Sequence, residues 1–96
     1  MTEAEVSALL AGLMEELAAV EHVRWSAWQA HVHASAERRP DGSLVIPAAA
    51  VARWERQIAA PYAALDESEK ESDRRQVRRY LPVIEAALRD AVRRGA

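Results

Sequence analysis

Trp25 and Trp28 stand one helical turn apart, and Trp54 and Tyr62 follow later in a chain that has three Trp, two Tyr and no Phe. Near them in sequence lie Arg24, Lys70, Asp73 and Arg74. Those residue types do one kind of chemistry well. Indole and phenol rings stack on a flat heterocycle, because every base has a π-face. A guanidinium offers a planar fork that matches phosphate or carboxylate. Arg24, Trp25, Trp28, Tyr62, Lys70, Asp73 and Arg74 are therefore the candidate ligand-binding set. Trp25 and Tyr62 would supply ring faces, Arg24, Lys70 and Arg74 would meet negative charge, and Asp73 would orient one of the arginines. A structural reading stands beside this one. The tryptophans can be core residues burying up to ~250 Å² each, and Asp73 can pin a turn by pairing with an arginine of another helix. Asp73 and Arg74 do not pair with each other across a helix, because adjacent side chains diverge by ~100°.

Other chemistries find less in the sequence. His22, His31 and His33 contain no His-x-x-x-His or Glu-x-x-His pair, and zinc needs three or four converging ligands. No metal site is expected. With no cysteine there is no disulfide framework, thiolate site or Cys nucleophile. No Gly-rich phosphate loop and no nucleophile with an evident base appear. The expected protein is not an enzyme and carries no cofactor.

The elements that must position these residues are helical. Val6, Leu9, Leu10, Leu13, Met14, Leu17, Val20 and Val23 recur at spacings of three and four, which is an apolar helical stripe. It continues through Trp25, Trp28 and Val32, so the pattern predicts one long helix over 3–34 or two with a break near residues 18–21. Thr2 and Glu5 form a capping-box pattern at its start. Gly12 costs the helix ~1 kcal/mol against Ala and suggests close approach of another backbone. Residues 37–43 read as a loop turning at Pro40-Asp41-Gly42. Leu44-Val45-Ile46 is a short extended segment, giving one β element near residues 38–46. Pro47 suits the first position of a helix running over 48–59, with Val51, Trp54 and Ile58 inward. The last helix is expected from Asp66 to about Arg93, capped by Asp66 and Glu69. Its apolar face holds Val77, Tyr80, Leu81, Ile84, Leu88 and Val92, and Pro82 should kink it.

The stretch Pro61-Tyr62-Ala63-Ala64-Leu65-Asp66-Glu67-Ser68-Glu69-Lys70-Glu71-Ser72-Asp73-Arg74 resembles the core motif of the ryanodine receptor repeat (RyR) domain family. That motif reads roughly Pro-Tyr-x-x-Leu-x-x-x-Glu-Lys-x-x-Asp-Arg, and every fixed position is met. Glu21-His22-Val23-Arg24-Trp25-Ser26-Ala27-Trp28 looks like the family's first helix. Together they cover roughly residues 20–85. Ser72 departs from the family in standing where an aromatic often precedes Asp-Arg. The chain also holds one unit where the animal receptors carry tandem pairs. The resemblance implies a single-unit bacterial or phage version that binds a nucleotide-like or nucleotide-derived small molecule without catalysis.

Ninety-six residues, half of them apolar, make one globular domain with a modest core. The formal charge of −2 argues against nucleic acid as partner. No basic leader with an apolar run and no membrane-spanning run is visible, so a cytoplasmic protein with no membrane partner is expected. Residues 1–22 carry five acids and no Lys or Arg, whereas seven Arg stand against Glu85 and Asp90 from Arg74 on. Antiparallel packing of the two terminal helices would bring those charges together. The arginine-rich end is otherwise a surface for an anionic partner, and a DNA-binding bundle is the third reading. The expected fold is mainly α, three to four helices with one short β element. The main alternative to ligand binding is a protein-interaction or homodimerisation module, motivated by an apolar stripe over 6–23 longer than one small core needs.

Overall fold

A computed structural model describes residues 1–95, and within them the chain is mainly α. Its elements are α1 (Glu3–Gly12), α2 (Met14–Ser35), β1 (Glu37–Arg38), β2 (Leu44–Val45), α3 (Ala48–Ala59), a 3₁₀ turn (Tyr62–Ala64) and α4 (Glu67–Arg93). They divide into two compact units: Met1–Arg24 with the segment from Asp73 on, and Trp25–Ser72. α2 and α4 each contribute to both.

In the first unit the capping box forms as expected. Glu5 N–H donates to Thr2 Oγ1 at 3.1 Å, and Thr2 N–H donates to Glu5 Oε2 at 2.9 Å. Two of the orphan N–H groups of a helix start are thereby satisfied. The break in the N-terminal helix falls at Leu13, not at residues 18–21. Leu13 has ψ −4°, away from the helical value, and its N–H reaches Leu10 O at 3.1 Å, an i→i−3 bond. The regular ladder resumes when Leu17 N–H finds Leu13 O at 2.9 Å. Gly12, a poor helix former, sits directly before the break. It does not mark a close backbone approach, since a Cβ built there meets nothing within 4 Å.

The core of this unit is small. Leu13 and Ala91 are buried, with Ala91 only 2% exposed. Leu9, Leu17 and Val20 line the same row of the N-terminal segment half-buried, and Tyr80, Ile84 and Ala87 do so on α4. α4 runs unbroken through Pro82. Proline has no N–H, so Arg78 O loses its usual ladder donor.

In the second unit β1 and β2 pair antiparallel, with Glu37 opposite Val45 and Arg38 opposite Leu44. The first of these strands lies where the sequence pattern predicts a loop. A turn joins them: Gly42 N–H donates to Arg39 O at 3.0 Å, and Arg39 N–H donates to Ser43 O at 2.8 Å. Gly42 takes φ 89°, the left-handed position that closes a three-residue hairpin. Asp41 Oδ1 accepts from Ser43 N–H at 2.9 Å and from its hydroxyl at 2.6 Å. These two bonds, the hydroxyl first, hold the Asp41 carboxyl below its ordinary range.

Pro47 stands just outside α3 as its cap residue, one position earlier than expected. Ala50 is buried and Val51 and Trp54 are half-buried, whereas Ile58 is 83% exposed and does not face inward. A period of 3.6 puts Ile58 on the side of α3 between Trp54 and Val51, but one residue before the helix ends at Ala59. No helix among the described residues is long and apolar enough to cross a membrane.

Candidate functional site

Four of the five aromatic residues, Trp25, Trp28, Trp54 and Tyr62, lie in the Trp25–Ser72 unit. Trp28, on α2, meets Trp54, on α3, edge to face, with ring centroids 5.5 Å apart and planes at 63°. That is a favoured geometry for two rings with negative faces and positive edges. His31 joins them at 5.5 Å from Trp28 and 6.2 Å from Trp54. Trp28 and His31 are three apart on α2, the spacing that puts side chains on one face. The Arg53 guanidinium lies 5.7 Å from the Trp54 ring centre, a cation–π contact. Trp28 is 43% exposed and Trp25 52%. Neither is a core residue in the ordinary sense, and both leave ring surface facing solvent.

Tyr62 and Lys70 form the second cluster. The Pro61-Tyr62 segment opens the 3₁₀ turn, closed by Ala64 N–H on Pro61 O at 2.9 Å and Leu65 N–H on Tyr62 O at 3.1 Å. The chain then enters α4 through Asp66, whose Oδ1 accepts from Glu69 N–H at 2.8 Å and from Ser68 Oγ at 2.8 Å. The Glu69 N–H is the first cause of the lowered Asp66 pKa. This places Lys70, one turn into the helix, with its ammonium 5.8 Å from the centre of the Tyr62 ring. Lys70 also stands 4.0 Å from Glu67, and Glu69 stands 3.6 Å from Arg56 of α3. Glu69 and Lys70 of the motif are thus held on the turn side of α4, beside the half-exposed Tyr62 ring.

The remaining candidates belong to the other unit. The Arg24 Nε donates to both carboxylate oxygens of Glu21, at 2.9 and 3.1 Å, and Nη2 also contacts Oε1. Tyr80, from α4, donates its hydroxyl to the second oxygen of the same carboxylate. Arg24, and then Tyr80, hold the Glu21 carboxyl at about 2. In return Glu21 raises the Arg24 and Tyr80 pKa values. Arg24 is thus committed to a structural triad. Asp73 is exposed and Arg74 half-buried at the point where α4 passes into this unit.

Glu21 and Tyr80 are not among the candidates that residue type and spacing suggest. One signal was available: Tyr80 lies on the apolar face of α4, and a half-buried phenol needs a hydrogen-bond partner. Among the described residues no group of three or more His, Asp or Glu converges as a metal cluster would. No family model, no curated protein and no solved structure matches the chain.

Proposed function

We propose that this chain is a non-catalytic binding module for a nucleotide-like small molecule. The observation that carries this reading is the Tyr62–Lys70 pair, a half-exposed ring with an ammonium 5.8 Å from its centre. A base or similar flat ring would stack on Tyr62, and Lys70 would meet the anionic group attached to it. The exposed faces of Trp25 and Trp28 offer further stacking surface in the same unit. The resemblance to the ryanodine receptor repeat family points to the same ligand class. Arg24 acts in this scheme through the fold, because a phosphate would have to displace Glu21 to reach it.

The test is a thermal-shift screen of the purified chain against nucleotides, cyclic nucleotides and NAD-derived metabolites. Ligand at 100 times its Kd adds about 2.7 kcal/mol, a shift of several degrees for a domain of this size. Tyr62→Ala and Lys70→Ala should each abolish the shift while leaving the melting of the free protein nearly as before. Binding that survives both variants would overturn the assignment. A second reading, an assembly module with no small-molecule ligand, is favoured by exposed apolar rows on the terminal helices.

A further inference from the structure

In the unit formed by the two chain ends, each helix carries more apolar surface than it covers. On the N-terminal segment, Leu9, Leu13, Leu17 and Val20 face inward, while Val6, Leu10 and Met14, at i, i+4 and i+8, form an adjacent row that is exposed. On α4, Val77, Leu81, Ile84, Leu88 and Ala91 follow a 4-3-4-3 spacing, the apolar repeat of a helix seam. Only part of that seam is covered. Ala91 is buried and Ile84 half-buried, but Val77 and Leu81 are 51% and 53% exposed, and Leu88 is exposed as well. Isolated apolar residues at a surface need no explanation, but rows at helical spacing on both members of a pair do.

We infer that this face is covered by a second copy of the same chain, the acidic N-terminal segment of each copy lying on α4 of the other. Three observations select that occupant. The first is charge. The N-terminal segment has no Lys or Arg through residue 22 and carries Glu3, Glu15 and Glu16 besides Glu5 of the cap and Glu21 of the Arg24–Tyr80 triad. The chain from Arg74 on has seven Arg, of which Arg89 and Arg94 pair with Glu85 and Asp90. One chain therefore bears both halves of a complementary pair, which is what a two-fold isologous interface requires. The second is shape. An open depression of about 390 Å³ on α4 is lined by Leu88 and Val92 with Glu85, Arg89 and Arg93. An apolar side chain fits against Leu88 and Val92, and an acid beside it would meet Arg93, since Arg89 already pairs with Glu85 at 2.5 Å; Val6 lies three residues after Glu3. The third is the seam itself. Among the described residues of this unit Leu13 and Ala91 are the buried ones, which is little core, and pairing two such units would enlarge it.

The occupied face is distinct from the Tyr62–Lys70 site, so the two readings fail separately. Sedimentation of the wild-type chain at about 100 µM, enough to saturate a micromolar Kd, should give twice the 10.7 kDa chain mass. Leu81→Lys combined with Leu88→Lys should shift the chain to monomer, weakening association by at least about tenfold. Met14→Lys is the companion variant, because Met14 is well exposed and its replacement leaves the core untouched; it should do the same with helicity by circular dichroism unchanged. A wild-type mass of one chain at that concentration would overturn the inference. So would a dimer that Met14→Lys leaves at wild-type affinity. A monomer that binds some other partner through this face counts equally against it.

Discussion

Tyr80 donates its hydroxyl to Glu21 across 59 positions of sequence, and the same carboxylate receives the Arg24 side chain. This one carboxylate ties the N-terminal segment to α4 inside their shared unit. It also makes the unit sensitive to acid. Glu21 has a folded pKa of about 2 against an ordinary 4.5, so the charged form is favoured by folding. Its contribution is complete above about pH 4.5 and is lost as pH falls toward 2. A carboxyl-resolved NMR titration should place the Glu21 midpoint near 2, and Arg24→Met should move it upward more than Tyr80→Phe does. Added salt should shrink the Arg24 effect, since the groups are open to solvent.

Asp66 gives a second, separable acid dependence. Its side chain caps α4 through Glu69 N–H, which lowers its pKa from 3.8. The cap is strongest above that value and weakens as pH drops below it. Asp66→Ala should lower the melting temperature by about 4–8 °C, the loss expected for one helix cap in a domain of this size. Asp66→Asn keeps an acceptor and should cost much less while flattening the pH dependence. Equal losses in the two variants would mean that the charge at the helix start, and not the acceptor, carries the stabilisation.

Much of this was legible in the sequence, and the reasons differ by element. The Thr2–Glu5 and Asp66–Glu69 signatures are local, because a cap needs only a side chain and an N–H three residues on. The bounds of α3 followed equally from Pro47 and the 3.6 period. β1 was not legible, since Glu37 and Arg38 have no strand signature of their own and are extended only because Leu44 and Val45 pair with them. The helix break at Leu13 fits neither the single helix over 3–34 nor the break near residues 18–21, because the apolar stripe runs through Leu13 without interruption and only its backbone shows where the ladder lapses. Of the candidate site, Tyr62 and Lys70 stand together in the motif, whereas the Trp28–Trp54 contact was not legible, because it joins two helices that are remote in sequence. The capture of Arg24 by Glu21 was not, because an i, i+3 pair on a helix surface is usually a weak solvated contact. What distinguishes it is Tyr80, which is remote in sequence.

The two internal glycines should respond to alanine with opposite signs. Gly42 sits at φ 89° with open space around it, so only backbone strain opposes a side chain there. Gly42→Ala should cost about 1–2 kcal/mol, and Gly42→Asn less. Gly12 is helical and equally unobstructed, so Gly12→Ala should stabilise by up to ~1 kcal/mol. Denaturant midpoints at constant m-value would read both changes.

Pro82 poses the sharpest question about α4. It lies inside a continuous helix, where proline is about 3 kcal/mol less favourable than alanine. Part of that cost is returned because proline also restricts the unfolded chain, by roughly 1 kcal/mol. The balance predicts that Pro82→Ala stabilises the chain by about 2 kcal/mol. The restored N–H would give Arg78 O its missing ladder bond. Pro82 also divides the exposed Val77–Leu81 part of the seam from the Ile84–Leu88 part. If proline bends α4 at this point, a second copy that packs along the whole seam must follow the bend. Pro82→Ala should then raise monomer stability while weakening association in the same sedimentation experiment. A variant that gains stability and keeps its dimer affinity would show that the seam pairs without help from the proline.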